Sequence, residues 1–382
     1  MHHIFGKEQT MQILILSCNT GEGHNSTARA IAECFSAHGV ASTIIDSLSF
    51  GIKGESKLIS CGHNTIYKYL PHAFGAGYYL LEQKKSKTKK TALYHISRTT
   101  VKRLKKYIDE HSFDVILCVH LFPALALTAV KQKHGLDVKV FFVATDYTCY
   151  PGVKDLDLDG YFIPHKDITW EYEAAGIPKD IIYPTGLPVS SAFGTSLPKS
   201  EARGALRLPT EGKLLLLMGG SLGCGHIKEM VATIAKNLSG GDYLAVLCGR
   251  NEKLKKQIEK NHLKNVYAIG YTRQVSLYMD SADLLLTKAG GLSSTEAARK
   301  GLPILFFDAV PGCETKNLYF FSHKQYAKTI FDEHTLPHIA CELLRDDNTL
   351  RAMSERIRAD FAQDGAEGMY AIIRQLCAPK HP

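Results

Sequence analysis

The chain reads as α/β, built in two similar halves, and two observations carry that reading. First, one layout occurs twice: an apolar run, a glycine-rich loop ending in Gly-His, and an amphipathic helix. Met11–Leu16 enters Ser17-Cys18-Asn19-Thr20-Gly21-Glu22-Gly23-His24, and Leu214–Met218 enters Gly219-Gly220-Ser221-Leu222-Gly223-Cys224-Gly225-His226. Second, short apolar runs keep alternating with helical patterns, as parallel sheets require. The expectation is two Rossmann-like domains facing each other across a cleft, residues 1–193 and 194–382, each large enough for its own core.

Composition narrows the class. The 382 residues are 45% hydrophobic and 22% charged, ordinary for a globular protein. No run of 18 apolar residues occurs, so no spanning helix is expected, and the start of the chain lacks a signal-peptide layout. Ten cysteines are scattered without a CxxC pair or metal-type spacing, which predicts reduced thiols in the cytoplasm and no metal. The net charge of +8 is concentrated: Lys84–Lys106 holds ten Lys or Arg residues and no acid. That block suits an anionic membrane surface or a plain solvated helix face. No recognition motif accompanies it, so nucleic acid is not an expected partner.

In the first half, the strand Met11–Leu16 leads through Gly21 and Gly23 into a helix from Ser26 to about His38, and Ala41–Asp46 is the next strand. The loop is neither GxGxxG nor a Walker motif, so dinucleotide and ATPase readings are disfavoured. His24 sits at the carboxyl edge of the first strand, where a neutral imidazole can take a proton from an acceptor hydroxyl, or can simply hydrogen-bond the loop. Residues 50–106 form an irregular insertion with five tyrosines (Tyr67, Tyr69, Tyr78, Tyr79, Tyr94) beside the basic block. It fits a surface at headgroup level or a packed helical insertion equally. After a basic helix come the strand Val115–Val119, His120, the helix Pro123–Lys133 and the strand Val138–Val143. That last strand opens into Thr145-Asp146-Tyr147-Thr148-Cys149-Tyr150, with Asp146 facing the same cleft as His24 and His120. Thr185-Gly186-Leu187-Pro188-Val189 reads as the crossing between halves.

The second half opens with Leu214–Met218 and its glycine loop. Leu244–Leu247 enters Gly249-Arg250, and Val266–Ile269 enters Gly270-Tyr271. The most informative stretch is Ala282–Asn317. It predicts a strand, Gly290-Gly291, a helix starting near Ser293 or Ser294, a second strand Pro303–Phe307 and an acidic loop Asp308–Asn317. A hydroxyl cap at Ser294, with Glu296 in the first turn, fits a helix N-terminus. Two glycines before it let a phosphate approach, and Glu296 can reach a ribose diol. A plain βα turn satisfies the same residues. Helices at 335–345 and 349–377 close the chain, the last packing back on the first half.

The run AGGLSSTEAARKGLPILFFDAVPGCETKN resembles the donor motif of monogalactosyldiacylglycerol synthases and processive diacylglycerol glucosyltransferases, and more distantly the lipid II glucosaminyltransferase. The resemblance covers most of the chain. It implies the GT-B architecture and metal-independent transfer of a hexose from a UDP-sugar, as co-substrate and with no cofactor, to a lipid such as diacylglycerol. The site of action it implies is the cytoplasmic face of the membrane, with peripheral attachment. It implies donor contacts from Gly219, Gly220, Gly223, Gly249, Arg250, Gly270, Tyr271, Gly290, Gly291, Ser294, Glu296, Cys313, Glu314, Lys316 and Asn317. Acceptor-side roles fall to His24 as base, Asp146 as alternative base or orienting partner, and Gly21, Gly23, Tyr147 and Tyr150. Two departures stand out. Cys313 replaces the amide of the family's Gly-Gln-Glu, and Tyr150 stands after Thr-Asp where the family has His and then Trp. A nucleotide-sugar 2-epimerase and a non-catalytic nucleotide-sugar sensor share the expected architecture.

Overall fold

The computed structural model describes residues 11–51, 98–219 and 227–377. Most of the basic, tyrosine-rich insertion and the loop residues Gly220, Gly223 and His226 lie outside them. The first sheet comprises β1 (Gln12–Ser17), β2 (Ala41–Asp46), β3 (Val115–Cys118), β4 (Lys139–Val143), β5 (Gly160–Phe162) and β6 (Ile182–Tyr183), all parallel in the order β2-β1-β3-β4-β5-β6. The second comprises β7 (Leu214–Met218), β8 (Tyr243–Leu247), β9 (Val266–Ile269), β10 (Leu284–Lys288), β11 (Ile304–Asp308) and β12 (Ala327–Thr329), parallel in the order β12-β11-β10-β7-β8-β9. The α/β architecture of two Rossmann-like domains is thus as expected.

Helices cover both faces of each sheet. In chain order they are α1 (Glu22–Ala37), α2 (Arg98–Glu110), α3 (Leu121–His134), α4 (Thr169–Ala174), α5 (Lys199–Ala205), α6 (Ile227–Asn237), α7 (Glu252–Lys260) and α8 (Val275–Ser281). Then follow α9 (Gly291–Arg299), α10 (Cys313–His323), α11 (Leu336–Arg345), α12 (Asp347–Asp360) and α13 (Gly365–Cys377). Strands β1, β3 and β4 are almost wholly buried, which is why they read as continuous apolar runs and not as alternation.

Three elements differ from the sequence expectation. The helix expected near Ser293 starts at Gly291, with Gly290 as its extended N-cap residue, so Glu296 lies in the second turn and Ser294 caps nothing. The reason is contact with the other half: a Cβ on Gly291 would sit 2.2 Å from the Thr145 carbonyl oxygen, so only glycine can begin the helix there. The acidic loop is shorter than expected, because Cys313–Asn317 are the first residues of α10, behind Gly312 at φ +117°. The long last helix is two. Asp364 caps a fresh start by accepting from the backbone of Ala366 and Glu367. Gly365 lies so close to Gly186 that a Cβ would meet its carbonyl oxygen at 2.6 Å.

Helix α13 then leaves the second half and packs on the first. Met369 and Ile373 share a core with Ile13, Ile15, Ile31, Phe35, Val115, Leu117 and Phe141. On α2, Val101, Leu104 and Ile108 face the core, while Lys105 pairs with Asp109 and Lys106 with Glu110 one turn on. Of the basic block within the described residues, Lys105 and Lys106 are paired along the helix and Arg103 donates to the Gly51 carbonyl.

Candidate active site

Both sheets reverse strand order at one place, and ligands of open α/β sheets bind at the carboxyl ends of the strands flanking such a reversal. In the first sheet the reversal lies between β1 and β3, followed by His24 and His120; their rings meet edge to face with centroids 4.6 Å apart. In the second it lies between β7 and β10, followed by the Gly219 loop and by Gly290-Gly291. The N-terminus of α1 faces the N-terminus of α9, and Gly23 approaches Leu292. Two helix N-termini, each carrying positive dipole character and orphan N–H groups, thus converge on the space between the halves.

His24 is the third residue of α1. Its Nδ1 lies 2.9 Å from the Val119 carbonyl oxygen and 3.3 Å from Thr145 Oγ1. A carbonyl only accepts, so Nδ1 carries the ring proton and Nε2 the lone pair. A second chain of hydrogen bonds gives the same tautomer. Tyr150 Oη donates to Asp146 Oδ2 at 2.5 Å, so Thr145 Oγ1, 3.0 Å from that hydroxyl, donates to Tyr150 and accepts from His24. Burial holds the His24 pKa below the ordinary histidine value, against the opposing pull of the Asp146 carboxylate and the Val119 carbonyl. His120 caps α3, its Nδ1 accepting from Phe122 N–H at 3.0 Å.

Asp146 is fully engaged: Oδ2 accepts from Tyr150, and Oδ1 accepts from Asn317 Nδ2 at 2.6 Å. Asn317, expected among the donor contacts, spends its side chain inside the protein. Its Nδ2 also donates to the Ala289 carbonyl at 3.0 Å, and its Oδ1 accepts from Tyr147 N–H at 2.7 Å. Tyr147, expected on the acceptor loop, is buried in the second half's core against Phe320, Phe321 and Phe361, with its hydroxyl 2.7 Å from Thr295 Oγ1. The cause is apolar: an aromatic cage from α10 and the end of α12 buries the ring. Both residues join the halves.

On the donor side, Glu296 is half-buried and, among the described residues, meets no hydrogen-bond donor; desolvation pushes its carboxyl up to about 8. Glu314 is buried and paired. Oε1 accepts from Lys288 Nζ at 2.6 Å and Oε2 from Val310 N–H at 2.9 Å. Lys288 is aimed there by a register irregularity between β10 and β11 at Thr287/Lys288. Cys313 begins α10 beside Asp146 and Tyr150, and burial together with the Asp146 and Glu314 charges pushes its thiol well above the ordinary range. Gly249, at φ +56°, precedes Arg250, whose guanidinium lies 5.4 Å from the Tyr271 ring centroid and 3.4 Å from Glu22 Oε1 of the opposite half. Gly270 packs near Glu252. Gly219 is buried at the end of β7, and Gly21 is the extended N-cap residue of α1. Ser294 is buried with an unpartnered hydroxyl among the described residues. Lys316 turns the other way, into a groove of about 760 Å³ with Tyr147, Trp170, Tyr319 and Phe320; Trp170 and Tyr319 are each 64% exposed.

Sequence reasoning missed Thr145, Thr295 and Lys288. A lysine ending an apolar strand just before two glycines was the one available signal; the threonines looked like ordinary loop and helix residues.

Residues 24–189 match the family model described as monogalactosyldiacylglycerol synthase, and residues 214–369 match the glycosyltransferase family 28 C-terminal domain. The chain is 27% identical over 373 residues to the processive diacylglycerol beta-glucosyltransferase of Bacillus cytotoxicus, covering 95% of this chain and 93% of that protein. It is 28% identical over 380 residues to the enzyme of the same name from Bacillus cereus strain AH187, covering 97% and 94%. Its fold is similar to that of MurG from Acinetobacter baumannii, with a TM-score of 0.64, 15% identity and coverage of 96% and 99%. It is also similar to the UDP-GlcNAc 2-epimerase of Neisseria meningitidis, with a TM-score of 0.60, 15% identity and coverage of 96% and 100%. The architecture is therefore common to transferases and epimerases, and the two domain models matched in succession, with the full-length similarity to diacylglycerol glucosyltransferases, mark the chain as a glycosyltransferase.

Proposed function

We propose that this glycosyltransferase moves a hexose from a UDP-sugar to diacylglycerol at an anionic membrane surface on the cytoplasmic side, without a metal. The observation that carries the chemistry is the facing of two helix starts, one bearing His24 with its Nε2 lone pair and the other the helix of Glu296, which meets no hydrogen-bond donor among the described residues. Nε2 takes the proton of the acceptor hydroxyl as its oxygen attacks the anomeric carbon. The bond from that carbon to the diphosphate breaks, and the charge growing on the leaving UDP is met by the N–H groups at the start of α9 and by Arg250, released from Glu22. Glu296 receives the ribose hydroxyls. The Lys288–Glu314 pair fixes the sugar hydroxyls, with Cys313 in place of an amide at that wall.

Membrane contact draws on the aromatic pair Trp170 and Tyr319, whose amphipathic rings suit the headgroup level and whose groove adjoins Tyr147. Among the described residues no helix is long and apolar enough to cross a membrane. The test is purified protein with UDP-glucose or UDP-galactose and vesicles with or without diacylglycerol. Release of UDP that requires diacylglycerol supports the reading. Equal release without lipid, or formation of a sugar epimer, overturns it.

A further inference from the structure

Cys34 lies in the last turn of α1, His38 is the residue that caps that helix, and Glu367 reaches them from the first turn of α13. Cys34 Sγ donates to Glu367 Oε1 at 3.3 Å, and His38 Nε2 lies 2.8 Å from Glu367 Oε2. The ligand-type atoms of all three lie within 4.8 Å of one another. In a tetrahedral zinc site, bonds of about 2.0–2.3 Å place neighbouring ligand atoms roughly 3.3–3.7 Å apart. Of the observed separations one already lies in that range, one is shorter and the third is no more than 4.8 Å, so small shifts of flexible side chains complete the geometry. The His38 ring is held in place by stacking on Tyr370, with centroids 3.9 Å apart and planes 7° from parallel. His38 and Glu367 are 36% and 54% exposed, which leaves an entry path and room for water as a fourth ligand.

We propose that Cys34, His38 and Glu367 form a transition-metal site, with zinc the expected ion, that clamps α13 to α1. A thiolate, an imidazole and a carboxylate suit a borderline-soft cation and disfavour magnesium or calcium, which take all-oxygen sets. On binding, the thiol proton leaves to solvent and the sulfur–metal bond forms. His38 Nε2, whose proton the Glu367 carboxylate accepts in the structure, gives up that proton to solvent and ligates. The ring holds its remaining proton on Nδ1 after exchange with solvent, and no electron is transferred. His38 and His24 sit at opposite ends of α1, about 20 Å apart at 1.5 Å per residue. The ion therefore serves the joint between the halves and stands independently of the chemistry in the cleft.

Cobalt(II) titration of the intact chain tests this. One equivalent should give a thiolate-to-cobalt charge-transfer band and intense tetrahedral d–d absorption, both lost in Cys34→Ser and weakened in His38→Gln, and displaced by zinc. Cys377→Ser controls for adventitious thiol binding and should keep both. Zinc should raise the thermal midpoint of the natural chain and not that of Glu367→Gln, a variant that preserves side-chain volume and hydrogen bonding. Weak octahedral absorption without a charge-transfer band, or a zinc-induced rise that persists in both Cys34→Ser and Glu367→Gln, overturns the proposal.

Discussion

Asn317 Nδ2 donates to Asp146 Oδ1 at 2.6 Å, and this bond crosses from the second half of the molecule to the first. The same amide accepts from Tyr147 N–H, so one side chain from α10 holds the backbone and the carboxylate of the loop that supports His24. Asn317→Ala leaves a buried N–H and a carboxylate oxygen without partners, each costing about 1–3 kcal/mol. The thermal midpoint should fall and turnover should drop with it. Asn317→Asp should be worse above the carboxylate range, where it places a second charge against Asp146, than at low pH. Melting curves across pH check both; equal midpoints for the natural chain and Asn317→Ala would show that the strut carries no load.

His24→Ala should lower kcat by about 10²–10⁴-fold while leaving UDP affinity nearly unchanged, because the base touches the acceptor and not the nucleotide. Steady-state rates paired with UDP calorimetry separate the two effects.

Asp146 raises the His24 pKa against the lowering effect of burial. Removing its charge in Asp146→Asn should lower that pKa further. The base then stays unprotonated to lower pH, so the acidic limb of the kcat/KM profile should move down while the plateau falls with the weaker base. A limb that stays in place would mean that His24 does not govern it. Tyr150→Phe cuts the second of the two hydrogen-bond chains that hold the tautomer, the Val119 carbonyl keeping the first, and should cost on the order of 5-fold in turnover, about 1 kcal/mol.

Glu296 titrates near 8 in the folded protein, above its ordinary value of 4.5, because it is desolvated. The unfolded chain loses this proton first as pH rises, so folded stability is full below about 4.5 and declines toward 8. Glu296→Gln should remove that decline, so the variant melts higher than the natural chain at pH 8 to 9 while binding UDP more weakly. Unchanged UDP affinity would exclude the ribose role.

Trp170→Ala with Tyr319→Ala should weaken sedimentation with anionic vesicles while preserving UDP binding, since neither ring is assigned to the nucleotide and both are exposed. Vesicle co-sedimentation at two salt concentrations measures it.

Much of this was legible in the sequence, for identifiable reasons. Fully buried parallel strands write continuous apolar runs, and strand–loop–helix junctions write glycines, so both sheets and the placement of His24 and Asp146 just past strand ends could be read directly, whereas Glu296 lies a turn further into its helix than expected. What could not be read depends on contacts between halves. Gly291 starts a helix because Thr145 presses on it, Tyr147 is buried because α10 supplies an aromatic cage, and Asn317 bonds Asp146 from far along the chain. None of these has a local periodicity. The break before Gly365 is of the same kind, since its cause is Gly186.

The seating of Met369 and Ile373 beside Ile13, Ile15 and Phe35 has a consequence for biosynthesis. Synthesis runs from the N-terminus, and domains ordinarily fold as they emerge. Here the half made first lacks part of its own core until α13 leaves the ribosome, so the part of its β1–β3 face that α1 does not cover stays open while the second half is translated. A nascent chain stalled before α13 should bind chaperones through that face, and residues 1–193 expressed alone should aggregate unless the α13 segment is supplied in trans.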